Sequence, residues 1–197
     1  MAGGMLDEMK VKETAMTIGA ASRNMLELVN DLLDVAKIEA GKFDLNIQEY
    51  DIVAIIQEQV QTFKALAESK HLELKATVPE KFVLKCDKIR IGQALENLLS
   101  NAIKYTDGGE VMVSFTQDQQ QKTGVVSVHD SGVGVPKEDL PMLFSKFRQL
   151  KNVDNARKGT GLGLVVTKGI VEAHGGKVWA ESAGENMGTT FSFSLPL

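Results

Sequence analysis

The chain has 197 residues, of which 43% are hydrophobic, and this is enough for one ordinary hydrophobic core with an appendage. The 22 Lys and Arg residues against 26 Asp and Glu residues give a formal net charge of −4, so the basic excess of a general nucleic-acid binder is missing. The single cysteine, Cys86, excludes an intrachain disulfide and a CxxC redox site and fits a reducing compartment. No stretch reaches the roughly 18 unbroken apolar residues of a membrane span. We therefore expect a cytoplasmic chain that contacts neither a membrane nor nucleic acid.

The N-terminal part of the chain is predicted to be one long helix. Residues 1–4 show no pattern, and we expect them to be an added leader. From Leu6 to Ala40 there is no proline, and Leu28, Leu32 and Val35 recur at spacings of four and three, which is typical of an amphipathic helix. We predict that residues 1–41 form this unit and that a second domain covers residues 42–197.

The second domain alternates between strand and helix patterns. The predicted elements are strands at 43–47, 71–78 and 82–85, helices at 52–69 and 87–105, a hairpin of strands at 110–116 and 125–129, short helical pieces at 136–147, a helix at 162–173, and strands at 177–181 and 190–195. This order predicts an α+β fold in which a sheet packs on one layer of helices.

The helix at 87–105, with Asp87 as its N-cap, has two distinct faces. At 100° per residue, Leu95 and Leu98 fall on one face. Asn97, Asn101 and Lys104 share the opposite face. Amide oxygens are suitable ligands for Mg²⁺, and an ammonium group is suitable for a phosphate. A polar face in contact with water explains the same pattern, and this helix alone does not distinguish the two.

Two glycine-rich segments follow. Residues 130–134 read DSGVG at the end of a predicted strand, where glycines let the backbone approach a flat ligand and Asp130 can accept a hydrogen bond from an exocyclic amine. A tight turn would show the same pattern. Residues 159–164 read GTGLGL and open a helix, whose free N–H groups favour phosphate. The second segment follows a basic loop instead of a strand, so it is not a Rossmann signature, and the chain has no P-loop.

In combination these segments resemble a known family. In chain order, NLLSNAIKY at 97–105, DSGVG at 130–134, LFSKF at 143–147 and GTGLGL at 159–164 resemble the N, G1, F and G2 boxes of sensor histidine kinases. The segment LLDVAKIEAG at 32–41 resembles the end of the second dimerisation helix of these kinases. The resemblance implies a Bergerat-type fold, a two-layer α/β sandwich with helices on one face of a mixed sheet, and ATP held under a mobile lid between the F and G2 boxes.

The resemblance also implies roles for individual residues. Asn101 would ligate Mg²⁺ with Asn97 in support, and Lys104 would contact a phosphate. Asp130 would bind the adenine amine, with a water molecule held by Thr190. Tyr105 and Val135 would line the adenine slot. The remaining implied nucleotide contacts are Gly132, Gly134, Arg157, Lys158, Gly159, Thr160, Gly161, Leu162, Gly163 and Leu164. The lid would be cationic, carrying Lys146, Arg148, Lys151, Arg157 and Lys158.

The phosphate acceptor of this family is a histidine that is followed by an acidic residue, with a proline five residues on. None of the three histidines, His71, His129 and His174, meets both conditions. We therefore expect the acceptor to lie outside this chain, which would be a piece of a larger kinase unable to phosphorylate itself. The implied partners are the kinase's own dimerisation domain, a second copy in a homodimer, and the receiver domain of a response regulator.

Two alternatives differ in chemistry. Related ATPases of the gyrase, Hsp90 and MutL type carry a water-activating glutamate one helical turn before the Mg²⁺ asparagine, and Asn97 stands at that position here. An amide does not act as a general base, so hydrolysis is the less favoured function. The other alternative is a module that binds nucleotide without turnover and presents an ordered lid to a partner.

Overall fold

The computed structural model describes residues 2–148 and 159–197. The helices are α1 (Ala2–Glu39), α2 (Ile52–Ser69), α3 (Lys88–Tyr105) and α4 (Gly163–Ala173), with a 3-10 turn at Leu140–Met142. The strands are β1 (Gln48–Asp51), β2 (Leu72–Thr77), β3 (Val83–Cys86), β4 (Gly109–Asp118), β5 (Thr123–Asp130), β6 (Lys177–Glu181) and β7 (Thr189–Pro196).

The sheet that supports the rest of the fold has five strands in the order β2-β4-β5-β7-β6. Strand β2 runs parallel to β4, and the other neighbours are antiparallel, so the sheet is mixed. Strands β1 and β3 form a separate antiparallel ribbon. The predicted hairpin is confirmed as β4 and β5, which pair from Val111 and Asp130 to Asp118 and Thr123.

Helices α2, α3 and α4 cover one face of the sheet. Alternate strand residues such as Val113, Val126 and Phe193 are fully buried beneath them, as period-two alternation requires. Leu95 and Leu98 of α3 are fully buried as well. The prediction of a two-layer α/β sandwich with helices on one face of a mixed sheet is confirmed.

Helix α3 begins where the sequence predicts. The Asp87 carboxylate accepts hydrogen bonds from the backbone N–H groups of Ile89 and Arg90, at 3.0 and 3.1 Å, and this satisfies two donors that have no partner inside the helix. The side-chain contact fixes the first turn and therefore the angular position of every later residue of α3. This cap and the burial of the apolar face together determine which way the polar face of α3 points.

The strand predicted at 43–47 is wrong, because residues 42–47 form no strand and the first strand is Gln48–Asp51. The apolar alternation there reflects packing of a loop. The Phe43 ring lies 4.5 Å from the guanidinium carbon of Arg90, and the backbone N–H of Asn46 donates to Asp87 at 2.8 Å. These contacts hold the loop across the start of α3 instead of along a neighbouring strand.

Helix α1 begins at Ala2 and so includes residues that the sequence assigned to a leader. Its C-terminal half packs on the rest of the chain, where Val35 is buried and the Ile38 side chain occupies the space that a Cβ at Gly169 of α4 would need. The opposite side exposes apolar residues, among them Leu26 and Leu33. Within the described residues, none of the helices has the length and apolar character to cross a membrane. The division of the chain at residue 42 stays a prediction.

Candidate nucleotide-binding site

A cavity of about 1060 Å³, including its open mouth, lies between α3, the glycine-rich segments and the inner face of β5 and β7. Most of the predicted site residues line it. These are Asn97, Asn101, Lys104, Tyr105, Asp130, Gly134, Val135, Gly159, Thr160, Gly161, Gly163 and Leu164. Arg157 and Lys158 lie outside the described residues, as does Lys151 of the predicted lid. The structure therefore brings together segments that are separated by more than 60 positions in the sequence, such as Asn97 and Gly163.

The polar face of α3 forms one wall of the cavity. The Asn97 amide donates to the backbone carbonyl of Gly163 at 3.0 Å and to the Thr167 hydroxyl at 3.3 Å, so it fixes the start of α4 against α3. The Asn101 side chain forms no hydrogen bond with the described residues and still lines the cavity. The whole Asn101 amide, including its oxygen, is therefore available to a ligand. The Asn97 side chain, in contrast, is held in place by the two hydrogen bonds that its nitrogen donates.

Lys104 lies one turn beyond Asn101 on the same face. A Cβ at Gly159 would lie 2.9 Å from the Lys104 ammonium, so the lysine and the second glycine-rich segment are adjacent. Burial lowers the pKa of Lys104, the nearby Glu27 carboxylate opposes that shift, and Lys70 adds to it. The lysine and the glycine-rich backbone therefore define the end of the cavity that suits an anion.

Lys70 has a role that the sequence did not indicate. Its ammonium donates to the backbone carbonyls of Ile103 and Lys104, at 2.8 and 3.3 Å, and so caps the C-terminal end of α3. The last turn of α3, which carries Lys104 and Tyr105, is held by this contact. A lysine just after a helix gives no local signal of such a role, because its target lies 33 positions further along the chain.

Asp130 also lines the cavity and is 3% exposed. Its carboxylate accepts a hydrogen bond of 2.9 Å from the backbone N–H of Gly132. Burial raises the pKa of the Asp130 carboxyl, and the N–H groups of Gly132 and Thr189 and the nearby His129 oppose the shift. The surrounding walls are apolar, with Val135, Leu143 and Phe191 in the lining. A single acceptor in an apolar slot is suited to a flat ring that offers an amine.

The residue of β7 that faces this slot is Thr189 and not Thr190. Thr189 is buried and lines the cavity, while the Thr190 hydroxyl lies 3.0 Å from Nδ1 of His129 on the other face of the sheet. Successive residues of a strand point to opposite faces, so an error of one position changes the face. The role predicted for Thr190 therefore does not fit its position.

Gly132 and Leu162 also lie outside the cavity lining, for different reasons. A Cβ at Gly132 would collide with the backbone carbonyl of Tyr105, so the glycine allows the segment after β5 to approach the end of α3. Leu162 is fully buried in the core, and its backbone N–H donates to the Thr160 hydroxyl at 3.2 Å. Both residues pack outside the cavity and help to position the segments that line it.

Gly134 has φ +66°, and a Cβ there would collide with the carbonyl of Gly184. We expect Gly134→Ala to destabilise the fold by at least about 1–2 kcal/mol, because the left-handed conformation alone costs an L-residue about that much. The predicted adenine slot beside Gly134 should lose affinity for ATP as well. Thermal unfolding and ATP titration measure the two effects. Gly108→Ala is the matched control, since a Cβ at Gly108 meets nothing within 4 Å. Equal stability of both variants would contradict the close approach.

The second glycine-rich segment joins the two described ends of the predicted lid. The backbone N–H of Phe147 donates to the Gly161 carbonyl at 3.0 Å, and a Cβ at Gly161 would collide with the Phe147 backbone. Phe144 packs edge-on against Phe191, with ring centroids 6.4 Å apart, while Phe147 is exposed. Arg148 lines the cavity and donates to Asp139 at 2.8 Å. The residues at both described ends of the predicted lid are therefore held against the cavity wall.

Helix α1 contributes two cavity residues, Glu27 and Asp31, which the sequence did not assign to the site. The sequence shows them only as polar positions on an amphipathic helix, and no local pattern relates them to a cavity built by residues 97–191. Asp31 is 7% exposed and accepts a hydrogen bond from the Thr160 hydroxyl at 3.3 Å. Burial raises the pKa of Asp31, and the carboxylates of Glu27 and Asp34 raise it further, against the Thr160 bond.

None of the three histidines lines the cavity. His71 follows α2 with φ +57°, and His129 bonds to Thr190 on the other face of the sheet. His174 caps α4, with Nδ1 2.7 Å from the Ile170 carbonyl and Nε2 accepting from the Asp87 N–H at 2.9 Å. Its two nitrogens are thereby both engaged with backbone groups. Among the described residues, no group of three or more His, Cys, Asp or Glu side chains is placed to hold a metal ion.

Residues 86–197 match the model of the family described as histidine kinase-, DNA gyrase B-, and HSP90-like ATPase. Among curated proteins, the sensor histidine kinase WalK of Bacillus subtilis is 36% identical over 181 residues, which cover 89% of this chain and 29% of WalK. The chain therefore spans under a third of that relative.

Two solved structures resemble the fold closely. Full-length ShkA in complex with AMPPNP aligns with a TM-score of 0.78 at 28% identity, over 87% of this chain and 35% of ShkA. The catalytic domain of histidine kinase ThkA aligns with a TM-score of 0.67 at 30% identity, over 77% of this chain and 96% of that domain. The chain belongs to the family of histidine kinase-, DNA gyrase B- and HSP90-like ATPases, and within it to the ATP-binding catalytic domains of sensor histidine kinases.

Proposed function

We propose that this chain presents Mg²⁺-ATP for transfer of the γ-phosphoryl group to a histidine that is none of its own three. The observation that carries the proposal is one cavity lined both by Asp130, a buried acceptor suited to the adenine amine, and by Asn101, Lys104 and the glycine-rich backbone, which suit Mg²⁺ and phosphates. The ShkA structure, which holds AMPPNP, supports a nucleotide in this cavity.

The described residues fit the phosphate end of Mg²⁺-ATP. Asn101 offers an amide oxygen without a competing hydrogen bond, and Lys104 offers a positive charge beside Gly159. When bound, Mg²⁺ would neutralise phosphate charge and favour departure of the γ-phosphoryl group. Asn97 acts as a positioning residue, because it bonds to Gly163 at the start of α4, and the positive N-terminal end of that helix lies at the cavity. Arg157 and Lys158 are proposed to add positive charge from the lid.

The part of the cavity around Asp130 would select the base. Asp130 would accept from the adenine amine, with Tyr105 and Val135 along the ring. Gly132 and Gly134 allow the backbone after β5 to pack closely on the end of α3 and on Gly184, which positions Asp130 and Val135. The apolar lining makes the Asp130 hydrogen bond stronger than it would be in water.

The partners and location are also part of the proposal. The exposed apolar side of α1, which includes Leu26, Val29 and Leu33, supports pairing with a dimerisation domain in a homodimer. The similarity to a sensor histidine kinase supports a two-component phosphorelay in which a response-regulator receiver domain is the next phosphate acceptor. A cytoplasmic location is part of the same proposal.

Hydrolysis is the second candidate, as the family includes ATPases. Asn97 is an amide, and Glu96 beside it is exposed and does not line the cavity. The cavity does contain the carboxylates of Glu27 and Asp31, so phosphate release has to be measured along with transfer. A binding module without turnover would show neither.

The test is incubation with γ-labelled ATP, alone and with a separate dimerisation fragment that carries an acceptor histidine. The chain alone is expected to bind ATP without labelling itself and with slow phosphate release, because none of its three histidines lines the cavity and Asn97 is not a general base. Acid-labile label on the added fragment would support the proposal. Rapid phosphate release by the chain alone would support hydrolysis, and acid-stable label on the chain would contradict the histidine kinase.

A further inference from the structure

Helix α1 contacts the catalytic part of the chain through a specific set of polar bonds. The Asp34 carboxylate accepts hydrogen bonds of 2.9 Å from both Arg90 and Gln93 of α3, and it is 7% exposed. Lys146, at the start of the predicted lid, forms an ion pair with Glu39, the last residue of α1. These bonds, together with buried Val35, fix the rotation of α1 about its own axis.

That rotation places two carboxylates of α1 at the anion end of the cavity. Glu27, Asp31 and Asp34 follow one another at spacings of four and three, so they share one face of the helix. Asp34 points to α3, while Glu27 and Asp31 line the cavity. Glu27 lines the same cavity as Lys104, whose pKa its carboxylate raises, and Asp31 accepts a hydrogen bond from the hydroxyl of Thr160 in the glycine-rich segment.

These contacts use the same groups that a polyphosphate needs. Lys104 and the Thr160 segment are the donors of the proposed phosphate site, and in this arrangement each already faces a carboxylate of α1. A triphosphate entering the cavity would meet two negative charges, the exposed Glu27 and the buried Asp31, and water would screen the repulsion by Asp31 only weakly. Burial raises the pKa of Asp31 most, and the Glu27 and Asp34 carboxylates raise it further, so negative charge is already disfavoured at this position.

We propose that Glu27 and Asp31 make docking of α1 and binding of nucleotide phosphates antagonistic, so that α1 lowers affinity in proportion to the phosphate charge of the ligand. The inference rests on the proposed function. By linkage, ATP must weaken the docking of α1 by the same factor that docking weakens ATP. Nucleotide loading would thus loosen α1 from the catalytic domain, while adenosine, which carries no phosphate, would leave it in place.

The experiment is calorimetric titration of the whole chain with ATP, ADP and adenosine, with and without Mg²⁺. The double variant Glu27→Gln and Asp31→Asn is expected to bind ATP about tenfold more tightly, within the range typical of coupling between sites. The gain should be smaller for ADP and absent for adenosine. The double variant Glu13→Gln and Glu49→Gln is the matched control, because it also removes two negative charges, from exposed positions that do not line the cavity.

A second variant tests the docking itself. Asp34→Asn removes the charge that Arg90 and Gln93 bind without changing the cavity lining, and we expect it to tighten ATP binding and to leave adenosine unchanged. Hydrogen exchange over residues 25–39 should increase on addition of ATP and not of adenosine.

The outcomes separate this inference from the proposed function. Unchanged ATP affinity in the double variant would overturn the antagonism. The proposed nucleotide site would still stand in that case, because the wild-type chain would bind ATP. Weaker Mg²⁺-ATP binding in the double variant would overturn it too, and would make the two carboxylates ligands or supports of the metal. A folded wild-type chain that binds neither ATP nor adenosine would refute the nucleotide site itself.

Discussion

Replacing Asp130 by asparagine is expected to lower the affinity for ATP by about ten- to 150-fold, since a hydrogen bond to a charged group contributes roughly 1.5–3 kcal/mol. One carboxylate oxygen of Asp130 accepts from the Gly132 N–H. If the amide oxygen of asparagine keeps that bond, its NH₂ group takes the place of the second carboxylate oxygen. The adenine amine would then face a donor instead of an acceptor.

The same variant should lose its preference for adenine over guanine. Guanine presents a carbonyl where adenine presents an amine, so wild type should bind GTP far more weakly than ATP. Competition titrations with both nucleotides measure the ratio. Equal affinity of wild type for ATP and GTP, or an Asp130→Asn variant that binds ATP as tightly as wild type, would remove Asp130 from base recognition.

Unfolding of the variant would not explain such a loss. Burial raises the pKa of Asp130, so the ionised carboxylate is disfavoured in the folded chain, and a neutral amide removes that penalty. We therefore expect a Tm equal to or above that of wild type. Asp118→Asn is the matched control, because it removes the same charge at the turn between β4 and β5. There the Asp118 carboxylate accepts hydrogen bonds from the backbone N–H groups of Gln120 and Gln121.

Replacing Asn101 by alanine is expected to abolish the part of ATP binding that depends on Mg²⁺. The amide oxygen of Asn101 is the proposed protein ligand of the ion, and Mg²⁺ binds through few protein oxygens plus the phosphates. ATP affinity measured without Mg²⁺ should stay near that of wild type. The measurement is a titration of ATP at increasing Mg²⁺ concentrations.

Stability should hardly change in Asn101→Ala. The side chain makes no hydrogen bond with the described residues, and alanine is the most favourable helix residue. Gln61→Ala, which removes an exposed amide from α2, serves as control. Asn97→Ala should behave differently and also lower Tm, because its bonds to Gly163 and Thr167 would be lost. Undiminished Mg²⁺ dependence in Asn101→Ala would mean that the polar face of α3 is only a hydrated surface.

Much of the catalytic domain is determined locally and could be predicted. Helix α3 has its cap at Asp87 and its apolar and polar faces where the residue spacing puts them. Strand β5 alternates so that Asp130 shares the inner face with Val126 and Val128. Such features depend on the backbone period and on neighbouring residues, which are visible in a single segment.

The sequence alone could not show which of two similar neighbouring residues faces the cavity, or whether an alternating segment pairs as a strand. Thr189 and Thr190 are adjacent and identical, and only the pairing of β7 with β5 assigns Thr189 to the cavity face. The alternation at 43–47 predicts a strand, but Phe43 packs on Arg90 instead. Both outcomes depend on partners more than 45 positions away in the sequence, and no local period encodes them.

The chemical groups of the cavity are visible in the local sequence: an acidic acceptor, an amide and lysine face, and two glycine-rich segments whose backbones must come close. That α1 supplies Glu27 and Asp31 to the cavity, and that Lys70 caps α3, depends on long-range packing. The physical reason is that a helix period fixes which residues share a face, while the surface opposite that face is chosen by long-range packing. Asp34 with Arg90, 56 positions apart, makes that choice here.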